Sequence, residues 1–326
     1  MTDALMAAYD VVLFDLDGTV YHGAQGIPGV PETVETVRAH GTAVRFVTNN
    51  ASKAPEEVVR HLVGLGIPAE ADEIHTSAQA GVAVLKDRLD PGAEVLVVGT
   101  ESLAAEVTQA GLKPVRENAE SVQAVVQGHS PDNTWAALAE ACLAIRAGAL
   151  WVACNVDATL PTERGLLPGN GSMVAALRTA TDATPLVAGK PEPLLFETAA
   201  KSASANRPLA VGDRLDTDIA GAVAAGIDSL VVLTGVATPK QLLNAVPAER
   251  ATYLAADLTA LTSRPEDLKI GPRPGWSVTG NGTVEGEGDP LDLLRVLCHV
   301  AWETGTTEVR PSGEAATAAL AQLGLA

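Results

Sequence analysis

Short, nearly unbroken apolar runs recur along this chain. Each is stopped by Asp, Asn, Thr or Gly and followed by apolar residues at helical spacing. Asp10-Val11-Val12-Leu13-Phe14-Asp15 is the pattern of a strand buried on both faces. Residues 31–40 read as a helix, with Pro31 at its start and Gly41 just past its end. Residues 42–47 predict a second buried strand, closed by Thr48-Asn49-Asn50. Ser52 is placed to cap a helix over 55–65, which Gly66 ends. The alternation continues with strands at 73–76, 95–99, 124–128, 150–155, 209–212 and 229–234. Helices are expected after Ser77 and over 102–110, 134–147, 172–179, 193–203 and 218–225. Such repetition of buried strand and helix implies an α/β fold with a parallel sheet.

Near residue 262 the texture changes. Gly271-Pro272-Arg273-Pro274-Gly275 reads as a linker, and Gly280-Asn281-Gly282 sits between two short strands as a hairpin turn would. Amphipathic segments over 289–303 and 312–323 predict two closing helices. A tail of this size is small for a core of its own and is expected to dock on the main body.

Composition narrows what such a chain can do. At about 150 residues per domain, 326 residues make roughly two. A net charge of −18 argues against nucleic acid and against anionic membrane surfaces, both of which require cationic patches. With four Trp, three Tyr and three Phe, base-stacking platforms are not expected either. Residues 1–10 carry acid and no Lys or Arg, unlike a secretory leader. The apolar stretch 136–156 is broken by Glu140, Arg146 and Gly148, so it reads as helix and then strand, not a membrane span. Cys142, Cys154 and Cys298 lack metal-site spacing and read as reduced core thiols. A cytoplasmic protein is the expectation.

Candidate chemistry sits where α/β sheets bind ligands, past the carboxyl ends of strands. Three polar clusters follow apolar runs: Asp15-Leu16-Asp17-Gly18-Thr19, Thr48-Asn49-Asn50, and Gly212-Asp213-Arg214-Leu215-Asp216-Thr217-Asp218. Lys190 follows Gly189 and precedes Pro191. Alone, each is explained by ordinary turns, because Asx side chains bond local backbone readily. Together they supply what metal-assisted phosphoryl transfer needs: carboxylates for a hard divalent cation, an ammonium and hydroxyl for the phosphoryl oxygens, and one carboxylate to attack.

These motifs resemble those of the haloacid dehalogenase superfamily, in particular its NagD-like branch of small-molecule phosphatases. The resemblance rests on DxDGT at 15–19, Thr48-Asn49-Asn50, Gly189-Lys190-Pro191 and the element at 212–218. It covers roughly residues 8–262. It implies a Rossmann-like core of residues 1–90 and 184–262, and an inserted α/β cap of the larger C2 type at 91–183. A small α/β appendage, an acetyltransferase-like fragment without catalysis, would follow at 263–326. It also implies that Asp15 is the nucleophile, that Asp17 is the acid and then the base, and that Thr48, Asn49 and Lys190 hold the phosphoryl group. Mg²⁺ would be bound by Asp15, the Asp17 carbonyl and Asp213, with Asp218 acting through water. Spacing agrees about the cap: the interval from Thr19 to Thr48 is short, whereas that from Thr48 to Lys190 holds far more than one strand–helix pair.

Within the branch, the stretch from Asn155 to Met173 and the tail are similar to actinobacterial phosphatases acting on glycerol 3-phosphate. Relatives directed at pyridoxal phosphate carry a Trp-His pair where this chain has Thr159-Leu160, so a small polyol phosphate is favoured over an aromatic substrate. Leu160 can equally be ordinary packing. Phosphoglycolate, pyridoxal phosphate and nucleotides remain alternatives, as does a homodimer. A phosphoaspartate signalling module shares the acids and the Lys, but Asp17 and the long insert separate this chain from it. A catalytically idle scaffold would require loss of a motif acid, and none is lost. His22 and His129 are candidates for substrate contact or for plain structural roles. Gly169-Asn170-Gly171 lacks the third glycine of a dinucleotide fingerprint and reads as a turn. Gly286-Glu287-Gly288-Asp289 carries carboxylates that would repel a pyrophosphate.

Overall fold

The computed structural model describes residues 3–162 and 164–326. Met1, Thr2 and Glu163, which fall in stretches considered above, lie outside the described residues. The chain forms two compact units, one running to Arg45 and resuming over Ala200–Ala326, the other Phe46–Ala199.

The chain opens with β1 (Val11–Phe14), buried at all four positions, and then a small hairpin of β2 (Tyr21–His22) and β3 (Gln25–Gly26). Helix α1 (Val30–His40) ends at Gly41, whose φ of 94° suits only glycine at low cost. Inside β4 (Ala43–Thr48) the chain passes into the second unit.

In the second unit the end of β4 pairs in parallel with β5 (Ile74–Thr76), across the connecting helix α2 (Pro55–Gly64). Ser52 does not cap α2. Its hydroxyl donates to Asn50 Oδ1 at 2.7 Å, and the Glu57 carboxylate accepts from the Ala54 N–H instead. Helix α3 (Ser77–Lys86) is capped by Thr76. There follow β6 (Glu94–Val98), α4 (Glu101–Gln109), β7 (Lys113–Val115), β8 (Val122–Gln127), α5 (Trp135–Arg146) and β9 (Leu150–Ala153). An antiparallel hairpin comes next, made of β10 (Thr159–Thr162) and β11 (Gly165–Pro168), the latter exposed throughout. After it come α6 (Asn170–Thr181), β12 (Leu186–Val187) and α7 (Leu194–Ser202). Here β12-β9-β8-β6-β7 is an all-parallel sheet. Val125, Ala141, Ile145, Trp151 and Leu177 are packed together at its core.

The first unit resumes with β13 (Pro208–Gly212), a π-helical turn (Leu215–Ile219), α8 (Ala220–Ala224), β14 (Asp228–Val232), α9 (Pro239–Leu243) and β15 (Tyr253–Ala255). Strands β15, β14, β13 and β1 lie in that order, all parallel. After α10 (Pro265–Leu268), the strands β16 (Trp276–Val278), β17 (Thr283–Gly286) and β18 (Arg310–Ser312) make a three-stranded sheet with α11 (Pro290–Thr304) and α12 (Glu314–Gln322).

The tail has no separate core. Trp276, Leu293, Leu297 and Leu320 belong to one buried cluster with Leu215, Ile219, Leu242 and Leu254. Polar groups fix the same junction. Buried Arg295 donates twice to Leu254 O, at 3.1 and 2.7 Å, and once to Asp292 at 2.7 Å. Trp302 Nε1 donates to Leu242 O at 2.9 Å. The α/β class with parallel sheets is as expected from the apolar runs. No helix among the described residues is long and apolar enough to cross a membrane.

Candidate active site

The ladder of β1 with β13 places Phe14 opposite Val211, and the Asp15 N–H donates to Val211 O at 2.8 Å. Two parallel strands therefore end side by side, one followed by Asp15 and the other by Asp213. The π-helical turn brings Asp218 back toward the same point. Its Oδ2 accepts the Arg214 N–H at 3.1 Å, and a Cβ on Gly212 would overlap its carboxylate. Carboxylate oxygens of Asp15, Asp213 and Asp218 all lie within 4.8 Å of one another. The three residues are only 9, 0 and 2% exposed. Carboxylates this close and this dry repel one another, and a hard divalent cation that prefers oxygen ligands offsets that cost. The donor set therefore fits Mg²⁺.

Asp213 is held firmly. Its Oδ2 accepts the Val236 N–H at 2.7 Å, its Oδ1 accepts the Thr19 hydroxyl at 3.4 Å, and its carbonyl accepts the Ala237 N–H. Glycines let the loops approach it: a Cβ on Gly18 or on Gly235 would overlap its carboxylate. Gly18 also has φ +95°, and its carbonyl accepts the Thr234 hydroxyl at 2.6 Å. Asp17 is exposed, lies outside the carboxylate cluster, and accepts the Gly23 N–H at 3.4 Å. Asp17 is thus a carboxyl open to solvent, unlike Asp15 two residues before it.

The second unit holds Thr48, Asn49 and Lys190. Thr48 ends β4, and its Oγ1 accepts the Asn50 N–H at 3.1 Å. Lys190 is 2% exposed, with Nζ donating to Val47 O at 3.3 Å. Asn49 bonds the Lys190 main chain on both sides: Oδ1 accepts its N–H at 2.8 Å and Nδ2 donates to its carbonyl at 3.0 Å. Asn155 Nδ2 and Ser77 Oγ donate to Asn49 O at 2.7 and 2.6 Å.

Of the histidines singled out from sequence, His22 is exposed in β2. His129 is half-buried past β8, where burial lowers its pKa. Burial pushes the Cys154 and Cys298 thiols up to about 12, as inert core thiols require. Sequence reasoning gave no role to Gly235, Thr234, Ser77, Asn155 or Asp157. Asp157 stands two residues after Asn155 in a polar break following an apolar strand, a signal of the same kind as those that revealed the other clusters.

Known proteins resemble this chain in sequence and in fold. A model of haloacid dehalogenase-like hydrolases matches residues 12–113, a related HAD-hydrolase-like model matches 187–261, and a GCN5-related N-acetyltransferase-like domain matches 273–325. The chain is 49% identical over 313 residues to the D-glycerol 3-phosphate phosphatase of Mycobacterium tuberculosis, covering 92% of this chain and 88% of that one. It is 37% identical to the 5'-nucleotidase YutF of Bacillus subtilis, over 78% of this chain and 98% of that one. A crystal structure of the glycerol phosphate phosphatase from M. tuberculosis in complex with magnesium superposes with a TM-score of 0.95 at 48% identity, covering 99% of each chain.

Proposed function

Since the chain belongs to the haloacid dehalogenase-like hydrolases, we propose that it is a Mg²⁺-dependent phosphomonoesterase that hydrolyses glycerol 3-phosphate to glycerol and phosphate. The observation that carries this reading is the convergence of Asp15, Asp213 and Asp218. Asp15 attacks the phosphorus and forms an aspartyl-phosphate while the bond to the leaving oxygen breaks. Asp17, open to solvent, gives that oxygen its proton. It then takes a proton from the water that attacks the phosphorus and releases Asp15. Thr48, Lys190 and the main chain at Asn49 hold the phosphoryl group. Asp15, the Asp17 carbonyl and Asp213 hold the metal, with Asp218 acting through water. Bound Mg²⁺ supplies charge that offsets the gathering anions.

In this reading residues 1–90 and 184–262 form the catalytic core. The insert 91–183 is a cap that selects the leaving group, with Leu160 in place of an aromatic platform. The appendage, 263–326, does no chemistry. Its glycine-rich loop is explained by packing: a Cβ on Gly286 would overlap Gly275 O, and Asp289 caps α11 through the Leu291 N–H at 2.7 Å. A small phosphorylated metabolite is the partner, without nucleic acid or membrane, in a cytoplasmic protein that can form a homodimer. Phosphate release should be compared across glycerol 3-phosphate, phosphoglycolate, pyridoxal phosphate and nucleoside monophosphates. Glycerol 3-phosphate should give the highest kcat/KM. A lower rank than a nucleotide would shift the substrate toward the activity named for the B. subtilis relative.

A further inference from the structure

The family resemblance implies that Asn49 binds phosphate, but its side-chain hydrogen bonds point elsewhere. A carboxamide has two donor hydrogens, and a phosphoryl oxygen needs donors. Asn49 Nδ2 directs both inward, to Lys190 O at 3.0 Å and to the Asp157 carboxylate, whose two oxygens lie 3.3 Å away. Its Oδ1 accepts the Lys190 N–H at 2.8 Å. One side chain thus pairs with both polar groups of one residue, as a neighbouring strand would. Gly189 makes room for the contact, since a Cβ there would stand 2.6 Å from Asn49 Oδ1 and 2.5 Å from Cys154 O.

A carboxamide is nearly symmetric in shape, so its outer partner decides which end faces which peptide group. An ionised carboxylate only accepts. Asp157 therefore keeps Nδ2 on its own side and leaves Oδ1 for the Lys190 N–H. A flipped Asn49 would set its oxygen against both the carboxylate and the Lys190 carbonyl. Asp157 is itself placed by Asn155: its N–H donates to Asn155 Oδ1 at 3.3 Å, and Asn155 Nδ2 returns to Asn49 O at 2.7 Å. We propose that Asn49 and Asp157 are positioning residues for Lys190. The Asn49 carboxamide, keyed by the Asp157 carboxylate, fixes the Lys190 main chain and does not touch the phosphoryl group through its side chain.

The proposal rests on the reading of Lys190 as a phosphoryl-binding group, so its test separates the two. Calorimetry with inorganic phosphate in the presence of Mg²⁺ reads binding without turnover, and hydrolysis of an aryl phosphate gives KM and kcat. Asn49→Ala and Asp157→Ala should each weaken phosphate and raise KM about tenfold, within the range of coupling between contacting residues. Asp157→Asn, whose carboxamide oxygen still accepts, should recover most of the loss. In a Lys190→Ala background, neither alanine variant should have any further effect. If each keeps its full factor there, or if Asp157→Ala matches the wild type, the positioning role is overturned. If the wild type binds phosphate but hydrolyses no ester, the phosphatase reading fails while the cycle on phosphate binding still decides the positioning role.

Discussion

Gly235→Ala isolates the placement of Asp213 from every other property of the site. Gly235 has no left-handed backbone conformation, so its backbone accepts alanine; only space forbids it. The added Cβ would lie 2.5 Å from Asp213 Cγ and would overlap one carboxylate oxygen. Carbon atoms rest about 3.5 Å apart, so the carboxylate must retreat by about 1 Å. It cannot do so without loosening its 2.7 Å bond from the Val236 N–H. Disturbing the groups that orient a metal ligand costs about 10–100-fold in metal affinity, or about 1.4–2.7 kcal/mol. The Mg²⁺ concentration giving half-maximal phosphate release should rise by that factor, and calorimetric Mg²⁺ affinity should fall with it. Gly64→Ala is the control: Gly64 is exposed at the end of α2 with nothing within 4 Å, so alanine there should stabilise by up to about 1 kcal/mol and leave Mg²⁺ dependence alone. A folded Gly235→Ala protein with unchanged Mg²⁺ affinity would refute the assignment of Asp213 to the metal.

Two further outcomes follow from the fold. Arg295→Met removes three charge-assisted bonds at the junction of the tail with β15. Its partner Asp292 is a third exposed, so the loss should be about 2–4 kcal/mol by urea denaturation; a change below 0.5 kcal/mol, about the scatter of surface substitutions, would mean the junction carries no stability. Among the thiols, only half-exposed Cys142 should react with a thiol reagent at pH 8, with Cys154 and Cys298 reacting on unfolding. Burial raises those two to about 12. The unfolded thiols ionise from about pH 8.5, so their contribution to stability is complete below that pH and is lost as pH rises toward 12. Three reactive thiols in the folded protein would contradict this.

The strands that carry the site were legible because burial on both faces leaves an unbroken apolar run, as in Val11–Phe14 and Pro208–Gly212. The acids that follow them stand at the sheet's carboxyl edge for the same reason. The hairpin β10–β11 was not legible, since β11 is exposed throughout and the two strands carry Pro161 and Pro168, so neither alternation nor propensity marks it. Strand β7 contains Pro114, and β2 and β3 have two residues each, too short for any period. The cap of α2 fell to Ala54 and Glu57 because Ser52 was already engaged by Asn50. Close approaches such as Gly235 to Asp213 join residues whose adjacency only the fold creates. Asn49 is a case of the same kind: its residue type is plain in the sequence, but the partners of its carboxamide, Lys190 and Asp157, are brought to it only by the fold.

Orthophosphate release from glycerol 3-phosphate with saturating Mg²⁺, for the wild type and for Asp15→Asn, decides whether this chain is a metal-dependent phosphatase that works through Asp15. Wild-type turnover should stop when EDTA removes the metal, and the variant should lose at least about 10⁴-fold, the scale seen when a nucleophile is removed. Turnover that survives either change, or a wild type that releases no phosphate, would contradict that reading.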